Sequence, residues 1–231
     1  MTIYVTGDKH GEIEMYHLYS KRRPHNPKEG DKLIIAGDFG LVWRKNPSIK
    51  EAHFRRYLDN MKWETLFVDG NHENHELLQT LPIEERWGGR VGRAGERIFH
   101  LRRGEIYNID GLKILTMGGA ESIDKLSRKQ AVNWWPEEIP SWAETDYCLQ
   151  NIADHGNEVD YVITHTCPQE VADWIFAKYG LPRNKEQDPT TKLLSHIHSQ
   201  LTFKNWYFGH WHLNFDFGKF SCLWHSWKTL V

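Results

Sequence analysis

The segment VDGNHENHELL, Val68 to Leu78, carries Asn-His-Glu twice in succession, Asn71-His72-Glu73 and then Asn74-His75-Glu76. A zinc-protease helix needs His at i and i+4 with Glu beside the first. Here position i+4 from His72 is Glu76, so that chemistry is excluded. Other residues of the same chemical kind recur along the chain: Asp8 and His10 in GDKH, Asp38 in GDFG, His165 in THT, and His210 and His212 in GHWH. Together with Asn71 they make seven oxygen and nitrogen donors with no cysteine among them. Imidazole, carboxylate and amide oxygen suit Mn, Fe, Zn, Co or Ni rather than an iron–sulfur cluster. Seven donors are too many for one tetrahedral site and about right for two open sites sharing a carboxylate.

Such a set works only if the chain gathers it. TIYVTGDKHG, KLIIAGDFG and TLFVDGNHE are short β-branched runs that stop abruptly at Gly-Asp or Asp-Gly-Asn, which predicts strands opening into loops at their carboxyl ends. Loops at the carboxyl ends of neighbouring strands converge on one crevice in α/β sheets. Between the second and third runs, Ile49, Ala52, Tyr57 and Met61 suggest a helical stripe with Ser48 near its start. The motif spacing of about thirty residues is that of a βαβ unit, so a layered α/β domain follows. If extended geometry persists, Asp8 and His10 point to one side, as do His210 and His212. After Leu81 the pattern changes, and RIFHLRRGEIYNIDGLKILTMGG reads as short strands with a hairpin turn at Asp110-Gly111. A long loop over 121–140 follows, then a helix with a capping box at Ser141 and Glu144 and an end at Gly156. VDYVITHT is a further buried strand ending at His165. Asp188-Pro189 starts another helix, and NWYFGHWHLNF and KFSCLWHSW close the chain as strands.

Composition bounds the rest. The chain has 231 residues and no linker-like segment, so a single domain over 1–231 is expected. A formal net charge of −2 gives no basic footprint for long duplex nucleic acid. No apolar run reaches membrane-spanning length, and MTIYVTGD enters a strand pattern without a signal peptide. Three scattered cysteines make no disulfide framework and fit a reducing cytoplasm. Of 14 histidines, nine lie outside the motifs and read as surface or satisfied polar residues.

In this order the motifs GDKH, GDFG, GNHE, THT and GHWH resemble the calcineurin-like metallophosphoesterase family over Gly7 to His212, and the loop segment GGAESIDKLSRKQAVNWWPEE is similar to one of a bacterial and phage-type subgroup. The resemblance implies an α/β fold, a four-layer α/β/β/α sandwich of two mixed sheets, with a dinuclear metal site at their shared edge. It implies that Asp8, His10 and His212 hold one metal, that Asn71, His165 and His210 complete a second, and that Asp38 bridges them. It leaves His72 off the metals to act on the substrate. The chain departs from the protein Ser/Thr phosphatase branch, which has GDxVDRG where this chain has GDFGLVW and an Arg where this chain has Asp69.

The first copy of the doubled motif is therefore the functional one, because it follows a strand and Gly70. The second copy opens a helix capped by Asn74, with Leu77, Leu78 and Leu81 inward and His75 and Glu76 in solvent. The expected activity is metal-dependent hydrolysis of a phosphomonoester or phosphodiester, with Mn the favoured metal, by attack of a metal-bridging hydroxide. Asn71 neutralises charge and His72 protonates the leaving oxygen. Two other readings remain open at this stage: a nuclease or cyclic-nucleotide phosphodiesterase on a short or single-stranded substrate, and a non-catalytic interaction scaffold. The loop 121–140 is either a surface loop pinned by Trp134 and Trp135 or a lid whose Lys125 or Arg128 meets phosphate. Arg44 is a lesser candidate of the same kind.

Overall fold

A computed structural model describes residues 1–181 and 188–231. In chain order the regular elements begin with β1 (Ile3–Thr6), β2 (Lys32–Ala36), α1 (Ile49–Asp59), β3 (Glu64–Val68) and α2 (His75–Gln79). Next come β4 (Ile83–Arg86), β5 (Gly89–Arg93), β6 (Ile98–Leu101), β7 (Ile106–Ile109) and β8 (Leu112–Met117). The chain continues with α3 (Trp142–Asp154), β9 (Tyr161–Thr164), α4 (Gln169–Tyr179) and α5 (Pro189–Gln200). It ends with β10 (Asn205–Phe208), β11 (Phe215–Phe217), β12 (Phe220–Cys222) and β13 (Trp227–Leu230). The strands form two mixed sheets, β13-β1-β2-β3-β6-β5-β4 and β11-β12-β10-β9-β8-β7. In the first, β1, β2, β3 and β6 run parallel. In the second, β8, β9, β10 and β12 do.

Side-chain alternation assigns the layers. Along β2, Ile34 and Ala36 face the second sheet while Leu33 and Ile35 face outward, and β3 repeats the pattern with Leu66 and Val68 inward and Phe67 outward. On the other sheet Tyr161, Ile163 and Tyr207 turn inward, whereas Val162, Trp206 and Phe208 face helices. The inner core thus lies between the sheets. Phe54 and Leu58 of α1 cover one outer face. Cys148 and Ile152 of α3, Val171 and Ile175 of α4, and Leu194 and Ile197 of α5 cover the other. This is the expected α/β/β/α sandwich. Strands buried on both faces read as continuous apolar runs, which is why β2 and β9 show no polar alternation.

Several local expectations hold. Ser48 caps α1 through the Glu51 N–H at 3.0 Å, and Ser141 and Glu144 close a capping box on α3. Asp188 caps α5 with Pro189 at its first position, and Asp110-Gly111 turns the β7–β8 hairpin. Others are corrected. The buried residues of α1 are Glu51, Phe54 and Leu58, and Ile49 is 91% exposed. Glu51 is inward because its carboxylate accepts the Trp43 N–H at 3.2 Å and pairs with Arg44 at 3.3 Å. NWYFGHWHLNF is not one strand, since β10 stops at Phe208 and β11 begins at Phe215. The β4–β5 hairpin and α4 were not expected from sequence.

Candidate metal centre and active-site cleft

Because β1, β2 and β3 are parallel neighbours, and β9 and β10 likewise, their carboxyl ends meet along one edge of the sandwich. The segments after them place Asp8, Asp38, Asn71, His165 and His210 there. Contacts across the two sheets fix the meeting: His165 Nδ1 lies 3.0 Å from Ala36 O, and Asp8 Oδ1 accepts the His210 N–H at 2.9 Å. The packing is close enough that a side chain at either of two glycines would displace a candidate ligand. A Cβ at Gly70 would stand 2.1 Å from Asp38 Oδ1, and one at Gly209 would stand 2.0 Å from Asp8 Oδ1.

Asp8, His10 and His212 gather first. His212 Nε2 is 3.1 Å from Asp8 Oδ2, and one donor atom from each residue can meet a single ion. The pairs do not share a side through strand alternation, as expected from sequence. His10, His210 and His212 have positive φ of 40°, 67° and 51°, so tight left-handed turns aim them instead. Asp38, also left-handed with φ 49°, sits at the centre. Its Oδ2 is 3.2 Å from His10 Nε2 and its Oδ1 is 3.3 Å from His165 Nε2. Asn71 Oδ1 lies 3.0 Å from both His165 Nε2 and His210 Nδ1. The seven sequence-predicted donors therefore fall into two groups that touch through Asp38.

The electrostatics suit cations. Asp8 and Asp38 are fully buried carboxylates held below their ordinary range; burial opposes this, and the neighbouring histidines outweigh it. Burial would likewise lower His10 and His165, yet Asp38 and Asp8 raise them to about 9 and about 10. A divalent ion bound to the same atoms would offset the two carboxylates in place of imidazole protons. The donor set fits the divalent metals expected from sequence.

Neighbouring residues stiffen the turns, and three of them escaped the sequence reading. Lys9 is fully buried, and its Nζ donates to Gly7 O, Asp8 O and Trp224 O at 2.8, 2.9 and 3.0 Å. Burial pushes this amine down to about 8, against the pull of Asp8 and Glu14. The buried Glu73 carboxylate accepts the Phe39 N–H at 2.6 Å and the Gly40 N–H at 3.2 Å, tying the third motif to the turn that carries Asp38. Asp69 bonds residues other than His72. It lies 3.0 Å from His100 Nε2 and accepts from Arg103 at 2.6 and 2.9 Å. A buried acid in a motif turn is a signal that some donor must meet it, but nothing local in sequence names Arg103.

His72 stands beside both groups, and one donor atom each from His10, Asp38 and His72 could also meet a single ion. Its N–H donates to Asp38 Oδ1 at 2.7 Å, and its ring packs edge-on to His10 at 5.1 Å. Burial, with Arg128, lowers its pKa. Arg128 Nη2 donates to His72 Nε2 at 3.0 Å, and Arg128 Nε pairs with Asp124 at 2.7 Å. Lys125 pairs with Glu121 and is not among the residues lining the cleft, whereas Arg128 is. The cleft encloses about 530 Å³, with Phe176, Trp211 and Ile123 as its apolar wall. Trp135 is buried and Trp134 partly so, so the 121–140 segment is pinned as well as lining the cleft. Arg44 bonds Glu12 and Glu51. In the doubled motif, Asn74 caps α2 through the Leu77 N–H at 3.0 Å. Glu76 is exposed as expected, but His75 is only 4% exposed, which corrects the solvated reading. The short helix presses its first residue against the Asp69–Arg103 pair rather than into water.

Comparison with known proteins agrees with this geometry. A family model described as calcineurin-like phosphoesterase matches residues 1–214. The chain is 27% identical over 213 residues to a lariat debranching enzyme of Schizosaccharomyces pombe, covering 85% of this chain and 40% of that protein. It is 28% identical over 132 residues to a lariat debranching enzyme of Drosophila melanogaster, covering 52% of this chain and 23% of that protein. The chain thus spans well under half the length of these curated relatives. No helix among the described residues is long and apolar enough to cross a membrane. With five motifs gathered at one sheet edge and the family match running from the first residue past the last of them, this chain belongs to the calcineurin-like phosphoesterases, hydrolases of phosphoester bonds that use divalent metal ions.

Proposed function

We propose that the protein is a dinuclear phosphoesterase whose two ions are held by Asp8, His10 and His212 on one side and by Asn71, His165 and His210 on the other, with Asp38 shared. The observation that carries this reading is the contact of both groups through the two oxygens of one buried carboxylate, Asp38. When bound, such ions supply Lewis acidity and an activated water. The protein's own groups do the rest. Asp38 offsets two close cations. Asn71 and the imidazoles orient their shared edge, and Arg128 presents a planar guanidinium to phosphoryl oxygens on leaving its resting contact with His72. His72, then free at Nε2, would take up a proton from solvent there and pass it to the departing oxygen, a role worth about 10²–10⁴-fold. The apolar side of the cleft, with Phe176 and Trp211, would receive the leaving group.

The ion identity favoured is Mn, with Fe, Zn, Co or Ni able to use the same donors. The chain is read as one domain working in the cytoplasm. The likeness to lariat debranching enzymes favours a second reading of the substrate: a diester in a short or single-stranded chain, in keeping with the net charge of −2. Assay with added Mn²⁺ of p-nitrophenyl phosphate, its bis ester, cyclic nucleotides, a phosphopeptide and single-stranded DNA tests the reading. Turnover of the bis ester and the oligonucleotide in preference to the monoester selects the diester. No turnover of any of the five, in protein loaded with two ions, contradicts the proposal.

A further inference from the structure

Asn71 offers the second ion group an amide whose two ends are nearly the same shape and opposite in chemistry. Only the oxygen can face a cation beside His165 and His210. Something must decide which end points there. The deciding contacts come from the 121–140 segment. Asn71 Nδ2 donates to Ser122 Oγ at 3.2 Å, and Ser122 Oγ donates to Glu138 Oε2 at 2.6 Å. Glu138 Oε1 also accepts the Ser122 N–H at 2.8 Å and the Trp134 Nε1–H at 2.9 Å. All three residues of the chain are nearly free of solvent, with Asn71 5%, Ser122 1% and Glu138 1% exposed. Glu138 makes no ion pair among the described residues, so this buried carboxylate is satisfied by these donors.

The direction of the chain follows from its last member. Burial raises the Glu138 pKa, and the bonds it accepts from Ser122 and Trp134 pull against that rise; in its ionised form the carboxylate only accepts. The single Ser122 proton is therefore committed to Glu138, which leaves a lone pair for Asn71. That lone pair can be met only by the NH₂ end. Reversing the amide would set an oxygen against an oxygen at Ser122 and an NH₂ against the imidazoles.

We infer that Ser122 and Glu138 are positioning residues that fix the side-chain amide of Asn71 with its oxygen toward the second ion, and that the 121–140 segment acts as a built-in wall of the site rather than as a lid. The inference rests on the proposed two-ion reading. Outer partners of metal ligands are typically worth 10–100-fold in metal affinity, and a neutral ligand with two interchangeable ends depends on its partner more than a carboxylate does.

The experiment is calorimetric titration of metal-free protein with Mn²⁺, alongside thermal unfolding. Ser122→Ala keeps the Ser122 N–H bond to Glu138 and removes only the hydroxyl link. It should weaken one of the two ion equivalents by 10–100-fold and leave the other within about threefold. Ser122→Thr, which keeps the hydroxyl, should restore it. Glu138→Gln frees the Ser122 proton to point at Asn71 and should weaken the same equivalent, so the outcome does not depend on one variant folding. Two ions bound with wild-type affinity in both Ser122→Ala and Glu138→Gln overturn the inference alone. Wild-type protein that takes up no second ion overturns the two-ion reading and this inference with it.

Discussion

Gly70→Ala isolates the close approach between the third motif and the shared carboxylate. The added Cβ would stand 2.1 Å from Asp38 Oδ1, 2.5 Å from Asp38 N and 2.8 Å from His165 Nε2. Ordinary van der Waals contact begins near 3.4 Å, so the Asp38 oxygen would have to retreat by 3.4 − 2.1 = 1.3 Å. Metal–ligand distances tolerate only about ±0.2 Å. Gly70 does not have a positive φ, so the effect is one of contact and not of backbone strain. Overpacking a compliant core costs about 1–3 kcal/mol, and here the groups that must move are Asp38 and His165 themselves. Gly70→Ala should remain folded, retain at most one ion per chain, and lose at least about 100-fold in kcat, the loss expected from a site about 1 Å out of place. Elemental analysis and hydrolysis of p-nitrophenyl phosphate or its bis ester read both quantities. Gly92→Ala, whose Cβ has its nearest contacts with Leu81 at 3.1 Å and His100 at 3.4 Å, outside the ion groups, is the control and should turn over normally. Two ions and near wild-type kcat in Gly70→Ala would refute the crowding argument.

His72→Ala should cut kcat by about 100-fold or more while two ions stay bound, since His72 acts on the leaving group. His75→Ala should keep kcat within a few-fold but unfold at lower temperature, because a buried ring is removed; equal thermal stability would contradict its interior placement. Asp38→Asn keeps the shape but removes the charge between two cations, so elemental analysis should find one ion and turnover should nearly vanish. Arg103→Met strands the buried Asp69 carboxylate with His100 alone. Breaking a buried pair costs about 3–5 kcal/mol, which for a chain of this size corresponds to roughly 6–20 °C in melting temperature. An unchanged melting curve would show that the pair contributes little.

The positions of the candidate ligands were readable because each follows a short apolar strand that stops at glycine or a polar residue, and parallel strands deliver their ends to one edge. The manner of their convergence was not. Alternation along an extended chain gives the wrong reason for Asp8 with His10 and for His210 with His212, since left-handed turns aim them. Ile49 looks like a core residue of α1 and is exposed, while Glu51 is buried by hydrogen bonds that periodicity does not see. His75 was misread for a similar reason: its neighbours, Asp69, His100 and Arg103, come from the end of β3, from β6 and from the turn after it. The Ser122–Glu138 link spans 16 residues of irregular chain, where no repeat or period marks a partner.

The most direct measurement of the central claim is hydrolysis of the preferred phosphoester by protein stripped with EDTA and titrated with Mn²⁺, with bound metal counted on the same samples. Activity should be absent in the stripped protein and return in step with the second equivalent of Mn²⁺ per chain. Undiminished turnover in thoroughly metal-free protein, or full turnover in a variant in which Asp38→Asn holds two ions, would contradict the account.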